Sequence, residues 1–341
     1  MVGDPHERTS SAASVAWGVA SQTPRALVGG TVADVYTGTW IEANVEIEDG
    51  RIVYVGPREP TSEHIVDVSG KVLAPGYIEP HTHPWCLYSP SSLLEVAIPD
   101  GTTTLVYDNL FFYLAHGVAG LRSIVDAMNA APAHIKWVAR ISPQSAYEDE
   151  AERFAIERIA PLFDWPEVVA SGEITNWMSV ARGEPRVMAG IAAAKAARRR
   201  VEGHNAGASY NRLNELSAAG ISADHECITG EEALSRLRLG MWTMLRQSSL
   251  RPDLEPMLRA LAPIVGSARR LMFTTDIQFV ISPLATTSGH ENSGAMRSSA
   301  NRCASSGYAD WGEIRATHFT CAGAAFIAST IERSPATPCA R

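Results

Sequence analysis

Eight short apolar segments alternate with helical patterns between residues 72 and 276, and this repetition constrains the fold more than any other feature of the sequence. Strands that alternate with helices pair in parallel, because each helix returns the chain to the start of the next strand. The predicted strands are Val72–His83, Thr102–Asp108, His134–Ser142, Val168–Glu173, Val201–His204, Ile221–His225, Trp242–Arg246 and Leu271–Asp276. We therefore predict an α/β fold with a (β/α)8 TIM-type barrel. A doubly wound open sheet is the alternative, although no glycine-rich phosphate loop follows any of these segments.

Helical patterns fall between most of these strands. The clearest helix start is at Thr229, where Glu232 follows three residues later in the pattern of a capping box. Three further helices are predicted over Glu150–Leu162, Arg186–Arg199 and Leu254–Ile264.

A small β unit is predicted ahead of the barrel. Val45–Glu48 alternates in polarity, Asp49-Gly50 has the composition of a two-residue hairpin turn, and Arg51–Val55 forms the returning strand. We assign residues 25–71 to a small N-terminal β-sandwich-like domain and residues 72–276 to the predicted barrel. Residues 1–24 are polar and rich in serine and alanine, and we expect a loose segment there.

Composition excludes several classes of partner. The net charge of −8 and the lack of a basic cluster in the sequence argue against nucleic acid. No apolar run in the sequence approaches the roughly 18 residues needed to cross a bilayer, so we expect no membrane partner and no secretory signal. The five cysteines are an odd number without C-x-x-C spacing, which favours a cytoplasmic location. The sequence leaves open whether the chain forms a homodimer.

Residues that commonly bind metals stand at the ends of the predicted strands. His81 and His83 lie two residues apart and so share one strand face, and Pro84 ends that strand at the edge where barrel enzymes hold their chemistry. Two imidazoles placed in this way can chelate a divalent metal, although an isolated pair is more often structural. Four further residues of ligand type end later strands, namely Glu173, His204, His225 and Asp276. Together the six predict a metal site.

Several segments resemble the adenine deaminase branch of the metal-dependent amidohydrolase superfamily. Val72–His83 resembles the first barrel strand of the superfamily and Gly101–Thr104 the opening of its second strand. Ser171–Glu173, Gly203-His204 and Ser222–Glu226 resemble the adenine deaminase branch itself. The resemblance extends from about residue 26 to residue 276, where we expect it to end.

The resemblance implies two divalent transition-metal ions, which would be manganese, iron or zinc. His81 and His83 would bind one ion and His204 and His225 the other, with Glu173 as a bridge. Branches of the superfamily that use a carbamylated lysine as the bridge need a lysine on the fourth strand. The three lysines of this chain lie outside that strand, which weakens a hydantoinase-like interpretation.

The resemblance also implies a reaction and its proton carriers. The enzyme would release ammonia from a 6-aminopurine, either adenine or an N6-substituted adenine, by attack of metal-activated water. Asp276 would contact metal and activate this water, and Glu226 would protonate the purine ring or else orient His225. The alternatives are another amidohydrolase acting on a cyclic amide or amidine, and an inactive truncated remnant.

Four residues are candidates for binding the small purine substrate. Trp85 and Trp177 could stack on a purine or pack within the protein, and Asp108 could face the substrate or orient a ligand. Arg246 begins a stretch that resembles a family Arg-x-Gly-Ser segment, but Ser248 replaces the glycine.

Residues 277–341 form an atypical tail. They contain no lysine, are rich in Ser, Ala, Arg and Thr, and hold three of the five cysteines. We expect the last barrel helix and the C-terminal β part of the family to be missing, because of a frameshift or truncation just after Asp276. Such a chain would be unstable, weakly active or inactive, and open to protease in this region. A divergent but genuine tail is the alternative.

Overall fold

The computed structural model describes residues 25–248 and 251–276, together with two strands over residues 314–321 and 324–331. The loose segment predicted over residues 1–24 lies outside the described residues, as does the remainder of the tail.

The small β unit begins with a confirmed hairpin. β1 (Arg25–Asp34) pairs antiparallel with β2 (Thr39–Glu48), which pairs antiparallel with β3 (Arg51–Gly56). Asp49 and Gly50 join β2 to β3, and both have positive φ, 47° and 71°. Positive φ at both central residues is what a tight hairpin turn of the mirror-image type requires.

Two further strands complete the N-terminal part of this unit. β4 (Ile65–Asp67) and β5 (Lys71–Pro75) both pair in parallel with β1. The strand predicted over Val72–His83 is therefore two strands, because its first residues belong to the small sheet. The chain turns at Gly76, where a Cβ atom would lie 2.0 Å from the Thr103 hydroxyl oxygen, so no side chain fits there.

Eight parallel strands follow among the described residues. They form two four-stranded sheets, and parallel bridges from residue 170 to 200 and from residue 174 to 203 join the two sheets. The first sheet contains β6 (Tyr77–Thr82), β7 (Thr102–Asp108), β8 (His134–Ala139) and β9 (Val168–Ser171). The second contains β10 (Glu202–Gly203), β11 (Ala223–Asp224), β12 (Trp242–Arg246) and β13 (Leu271–Thr274). The alternation predicted from the sequence is confirmed as a parallel α/β core.

Hydrogen bonds join the last of these strands to the first. Thr274 Oγ1 donates to the Glu79 carboxylate at 2.5 Å or to the His81 carbonyl at 2.9 Å. The Thr275 backbone N–H donates to the same carboxylate at 2.9 Å. β13 therefore lies against β6.

Helices connect the strands of the core. Those of the described residues are α1 (Pro90–Ala97), α2 (Leu110–Met128), α3 (Glu150–Arg153), α4 (Ile156–Ile159), α5 (Trp177–Ala181), α6 (Pro185–Ala196), α7 (Tyr210–Ala219), α8 (Gly230–Arg238) and α9 (Leu254–Leu261). Short 3₁₀ turns cover Ala160–Asp164 and Val265–Ser267. No helix in this part of the chain is long and apolar enough to cross a membrane.

The helix predictions hold with one exception. α6 and α9 start within one residue of the predicted positions, and each ends three residues earlier than predicted. The capping box of α8 is confirmed by a hydrogen bond from the Glu232 N–H to Thr229 Oγ1 at 3.2 Å. The helix predicted over Glu150–Leu162 is broken into α3, α4 and a 3₁₀ turn. The break follows from an extended Ala155, with ψ of 141°, and from Pro161, which has no N–H to donate.

The tail adds strands to the small sheet. β14 (Ile314–Cys321) and β15 (Ala324–Ile331) form an antiparallel hairpin, and β15 pairs with β5. The expectation of a missing C-terminal β part is therefore wrong for these two strands. The predicted β-sandwich-like domain is one hydrogen-bonded sheet of seven strands, ordered β14-β15-β5-β1-β2-β3 with β4 beside β1.

Candidate metal centre

Three buried side chains form a first half-site at the carboxyl ends of β6 and β13. The strand alternation directs His81 and His83 to the same side, with their Nε2 atoms 3.1 Å apart. Asp276 Oδ1 lies 3.3 Å from His81 Nε2 and 3.1 Å from His83 Nε2. Asp276 has a φ of 57°, a left-handed conformation that is uncommon outside glycine and costs about 1 kcal/mol or more.

Three further side chains form a second half-site just past β9, β10 and β11. Glu173 Oε2 lies 2.8 Å from His204 Nδ1 and 3.2 Å from His225 Nε2. The other carboxylate oxygen of Glu173 lies 3.7 Å from His83 Nε2. The structure therefore brings all six predicted ligands together, with Glu173 between the two half-sites.

The donor set fits divalent metal binding. In each half-site the three candidate ligand atoms lie within 4.8 Å of one another. Among the described residues, the buried atoms Asp276 Oδ1 and His225 Nε2 have no hydrogen-bond partner. Leaving such buried polar atoms unsatisfied costs about 1–3 kcal/mol each, which a bound cation would offset. Imidazole nitrogen and carboxylate oxygen together suit zinc, iron or manganese.

The electrostatics favour ionised carboxylates in the cluster. Burial alone would raise the pKa of Asp276, but the imidazoles of His81 and His83 close to its carboxylate outweigh burial and hold this pKa far below its usual range. Burial likewise opposes the charged form of His225, yet the nearby carboxylates of Glu173 and Glu202 raise its pKa to about 9. The pKa values of His81 and His83 are raised as well, so without a cation these two rings and that of His225 tend to hold protons that balance the carboxylates. A metal would replace those protons.

Glu226 and Arg246 lie beside both half-sites. Glu226 Oε1 lies 3.7 Å from His225 Nε2 and 2.6 Å from Arg246 Nη1. The same guanidinium nitrogen forms a very short contact with Asp276. Arg246, predicted to bind substrate, thus links the two carboxylates that were predicted to move protons.

The other three candidate substrate residues, Asp108, Trp85 and Trp177, make different contacts around the centre. Asp108 Oδ2 is 3.4 Å from His83 Nδ1 and accepts a hydrogen bond from Arg140 Nε at 2.6 Å, which supports the interpretation that it orients a ligand. The Trp85 ring lies 5.2 Å from the His83 ring, between centroids. Trp177 donates through Nε1 to the Ala206 carbonyl at 3.1 Å.

A pocket of about 330 Å³ opens beside the second half-site. Its volume lies at the lower end of the range for small-molecule sites. Arg251, one of its lining residues, has a guanidinium nitrogen 3.6 Å from Glu226 Oε2. The lining residues are Ala206, Gly207, Glu226, Ile228, Glu232, Arg251 and Asp253.

Two buried charged residues of the centre, Arg140 and Glu202, were not predicted from the sequence. Arg140 follows β8 and is paired with Asp108 and Glu173, each at 2.5 Å. Glu202 lies in β10 and contacts His81 Nδ1 at 2.7 Å. The signal for Glu202 was present, because it precedes His204 by two residues and strand alternation places both on one face.

The amidohydrolase family profile matches residues 72–306 of this chain. The match covers the whole parallel core and continues past Asp276, so the expectation that the resemblance ends there is wrong.

Curated relatives carry adenine deaminase names. A protein of Halalkalibacterium halodurans named "Putative adenine deaminase" is 38% identical over 73% of this chain and 44% of its own length. A second protein of that organism, named adenine deaminase, is 32% identical over 72% of this chain and 42% of its own length. The chain spans less than half the length of these relatives.

Solved structures share the fold. A β-aspartyl dipeptidase of Fervidobacterium islandicum has a TM-score of 0.58 at 15% identity, covering 85% of this chain and 83% of its own. A D-hydantoinase has a TM-score of 0.55 at 14% identity, covering 74% of this chain and 68% of its own. At these identities the likeness concerns the fold alone.

Proposed function

Because the chain belongs to the amidohydrolase family, we propose that it is a metal-dependent aminohydrolase that releases ammonia from a 6-aminopurine, adenine or an N6-substituted adenine. The observation that carries this proposal is the cluster of four histidines and two carboxylates at the strand ends, in which every member except the partly exposed His204 is buried. The adenine deaminase names of the relatives direct the choice of substrate.

The proposed scaffold is a closed (β/α)8 barrel. Parallel bridges between the two four-stranded sheets and the hydrogen bonds from Thr274 and Thr275 to Glu79 support closure. In such a barrel the carboxyl ends of all strands meet at one rim, which is where the six ligand residues lie.

The proposed cofactors are two divalent ions of manganese, iron or zinc. The first half-site (His81, His83 and Asp276) would hold one ion and the second half-site (Glu173, His204 and His225) the other. When bound, such ions lower the pKa of water from 15.7 to about 7 and so supply a nucleophile at neutral pH.

The proposed proton carriers are the two carboxylates joined by Arg246. In the reaction a C–O bond forms at the ring carbon, the C–N bond to the amino group breaks, and ammonia leaves. Asp276 would take one proton from the attacking water and pass it to the amino group as this group leaves. Glu226, in its protonated form, would give a proton to the ring nitrogen and recover one from the new hydroxyl group. Proton transfer of this kind contributes about 10²–10⁴ to the rate. Arg246 keeps both carboxylates oriented toward the same space.

The pocket beside Glu226 is the proposed position of the purine ring. Its lining includes Ala206 and Gly207 together with the polar residues Glu226 and Arg251, whose side chains could hydrogen-bond to a ligand. Trp177 donates a hydrogen bond to the carbonyl of Ala206, one of these lining residues. Trp85 remains a candidate for stacking from the side of the first half-site.

An ammonia-release screen tests this function. The purified chain, loaded with manganese, iron or zinc, is assayed with aminopurines, pterins, triazines and cyclic ureas. We expect turnover of adenine or an N6-substituted adenine, and a loss of about 10²–10⁴ in kcat for Asp276→Asn and Glu226→Gln. Turnover of cyclic ureas without aminopurines would refute the deaminase activity. Intact metal binding without turnover of any substrate would indicate a non-catalytic protein.

A further inference from the structure

Glu202 lies behind two histidines that belong to different half-sites. Its Oε1 atom is 2.7 Å from His81 Nδ1 and 3.1 Å from His225 Nδ1. The side chain is 3% exposed, so water does not compete for these contacts. A single buried carboxylate oxygen therefore serves one ring from β6 and one that follows β11.

The two rings present their other nitrogens to the half-sites. His81 and His225 stack with ring centroids 4.0 Å apart at an interplanar angle of 26°. His81 Nε2 faces His83 and Asp276, whereas His225 Nε2 faces Glu173. In each ring, Nδ1 is thus occupied by Glu202 and Nε2 is left for the half-site.

This arrangement fixes which nitrogen can bind a cation. A neutral imidazole has one N–H and one lone pair, and a metal requires the lone pair. A ring that donates its Nδ1–H to Glu202 must hold its lone pair on Nε2. Carboxylates that hold ligating histidines in this way orient the ring and strengthen it as a ligand.

We propose that Glu202 is a positioning residue that sets the tautomer of His81 and His225 together and thereby couples the metal affinities of the two half-sites. The inference rests on the proposed function only in taking the half-sites as metal sites. It distinguishes Glu202 from Asp108, which contacts a single ligand ring, His83.

Metal titration of Glu202→Gln tests the coupling. The glutamine retains the volume and one acceptor oxygen but lacks the negative charge. In competition with a chelator, we expect the affinity for zinc or manganese to fall about 10–100-fold at both half-sites. Val201→Ala, a truncation of the neighbouring buried side chain, serves as the control for general destabilisation and should leave both affinities near their wild-type values. Unchanged affinities in Glu202→Gln, or a fall at one half-site alone, would overturn the proposal.

A measurement on the wild-type chain applies even if the variant does not fold. In ¹⁵N-histidine-labelled, zinc-loaded protein, His81 and His225 should both show a protonated Nδ1 and a zinc-bound Nε2. A protonated Nε2 on either ring would overturn the role of Glu202. A chain that shows the expected nitrogen pattern but releases no ammonia from aminopurines would contradict the proposed function and still support Glu202 as the positioning residue.

Discussion

The first four and the last four strands of the parallel core are held in place by different interactions. β6 to β9 contain four to seven residues each, and an apolar cluster that includes Leu105, Tyr107 and Trp137 packs against them. β10 and β11 contain only two residues each, and buried charged groups surround them. Apolar packing therefore dominates in the first half, whereas in the second half buried ion pairs and hydrogen bonds add to a separate apolar cluster and position the two short strands.

The hydrogen bonds of Asp224 illustrate how polar contacts position the chain in the second half. Its carboxylate accepts hydrogen bonds from Arg236 Nε at 2.6 Å and from the backbone N–H groups of Asn205 and Glu226, both at 2.8 Å. These two backbone groups directly follow the ligands His204 and His225. One fully buried carboxylate thus orients the chain at two ligands, a precision that two-residue strands alone do not provide.

The largest effect is expected from breaking this polar network. Asp224→Ala leaves the Arg236 guanidinium buried without its carboxylate, and we expect the free energy of unfolding to fall by about 3–5 kcal/mol. Chemical denaturation of the wild type and of Asp224→Ala measures this change in the free energy of unfolding. Glu255→Ala, which removes an exposed ion pair with Arg259 on α9 of the same half, should cost less than about 1 kcal/mol. Equal losses in the two variants would contradict the distinction.

In the first half, the substitution that corresponds to Asp224→Ala is one that removes buried apolar volume. Leu105 lies in β7 and is fully buried, so Leu105→Ala should lower the free energy of unfolding by about 3 kcal/mol. Val118→Ala on the exposed side of α2 is the control and should have little effect on the same denaturation midpoint. A small loss for Leu105→Ala would show that packing does not hold this half.

The ion pair between Arg122 and Glu167 at the edge of the first half tests whether charge also contributes to stability there, because such a contribution to the free energy of unfolding depends on pH. Hydrogen bonds from Arg122 lower the pKa of Glu167 to about 2. A carboxyl whose pKa falls on folding stabilises the protein above its unfolded pKa, near 4.5, and this contribution disappears as pH falls toward 2. Glu167→Gln should therefore cost about 1–2 kcal/mol at pH 7, discounted for partial exposure, and progressively less below pH 4.5.

The control for this pH dependence is Glu157→Gln, at an exposed position on α4. Its effect on the unfolding free energy should stay small across the same pH range. A difference between wild type and Glu167→Gln that stays constant from pH 7 to pH 3 would contradict the assigned ion pair.

The smallest effect concerns the start of α8 in the second half. Thr229 Oγ1 caps this helix, which carries Arg236, so Thr229→Ala should cost about 1 kcal/mol in unfolding free energy. Thr229→Ser retains the capping oxygen and should remain near wild type. If both variants lose equal stability, the cap does not contribute to the second half.

The accuracy of the strand predictions does not divide along the two halves. β7 in the first half and β12 in the second are predicted with both ends correct, whereas the strand predicted over His134–Ser142 ends three residues early, at Ala139. Val201–His204 and Ile221–His225 are predicted as longer strands than β10 and β11, because hydrogen bonding to the ligand-bearing loops replaces strand pairing there. The tail strands β14 and β15 were missed, since their residues show no clear periodicity in the sequence.

The candidate centre was predictable where ligands end strands and unpredictable where the contact depends on three-dimensional proximity. The six ligand residues stand at recognisable strand ends. Arg140 and Asp224 gave no such signal, because their roles depend on partners 12 to 33 residues away in the chain. Asp108 was found, but only the structure shows that its carboxylate faces His83 and Arg140.

The number of transition-metal ions bound per chain tests the central claim most directly. The purified chain and the variants Asp276→Asn and His204→Ala are reconstituted with manganese or zinc and measured by elemental analysis. We predict two ions per chain in the wild type and a loss of one ion in each variant, since each removes a ligand from a different half-site. A wild-type chain that binds no ion, or variants that retain the wild-type count, would contradict the account.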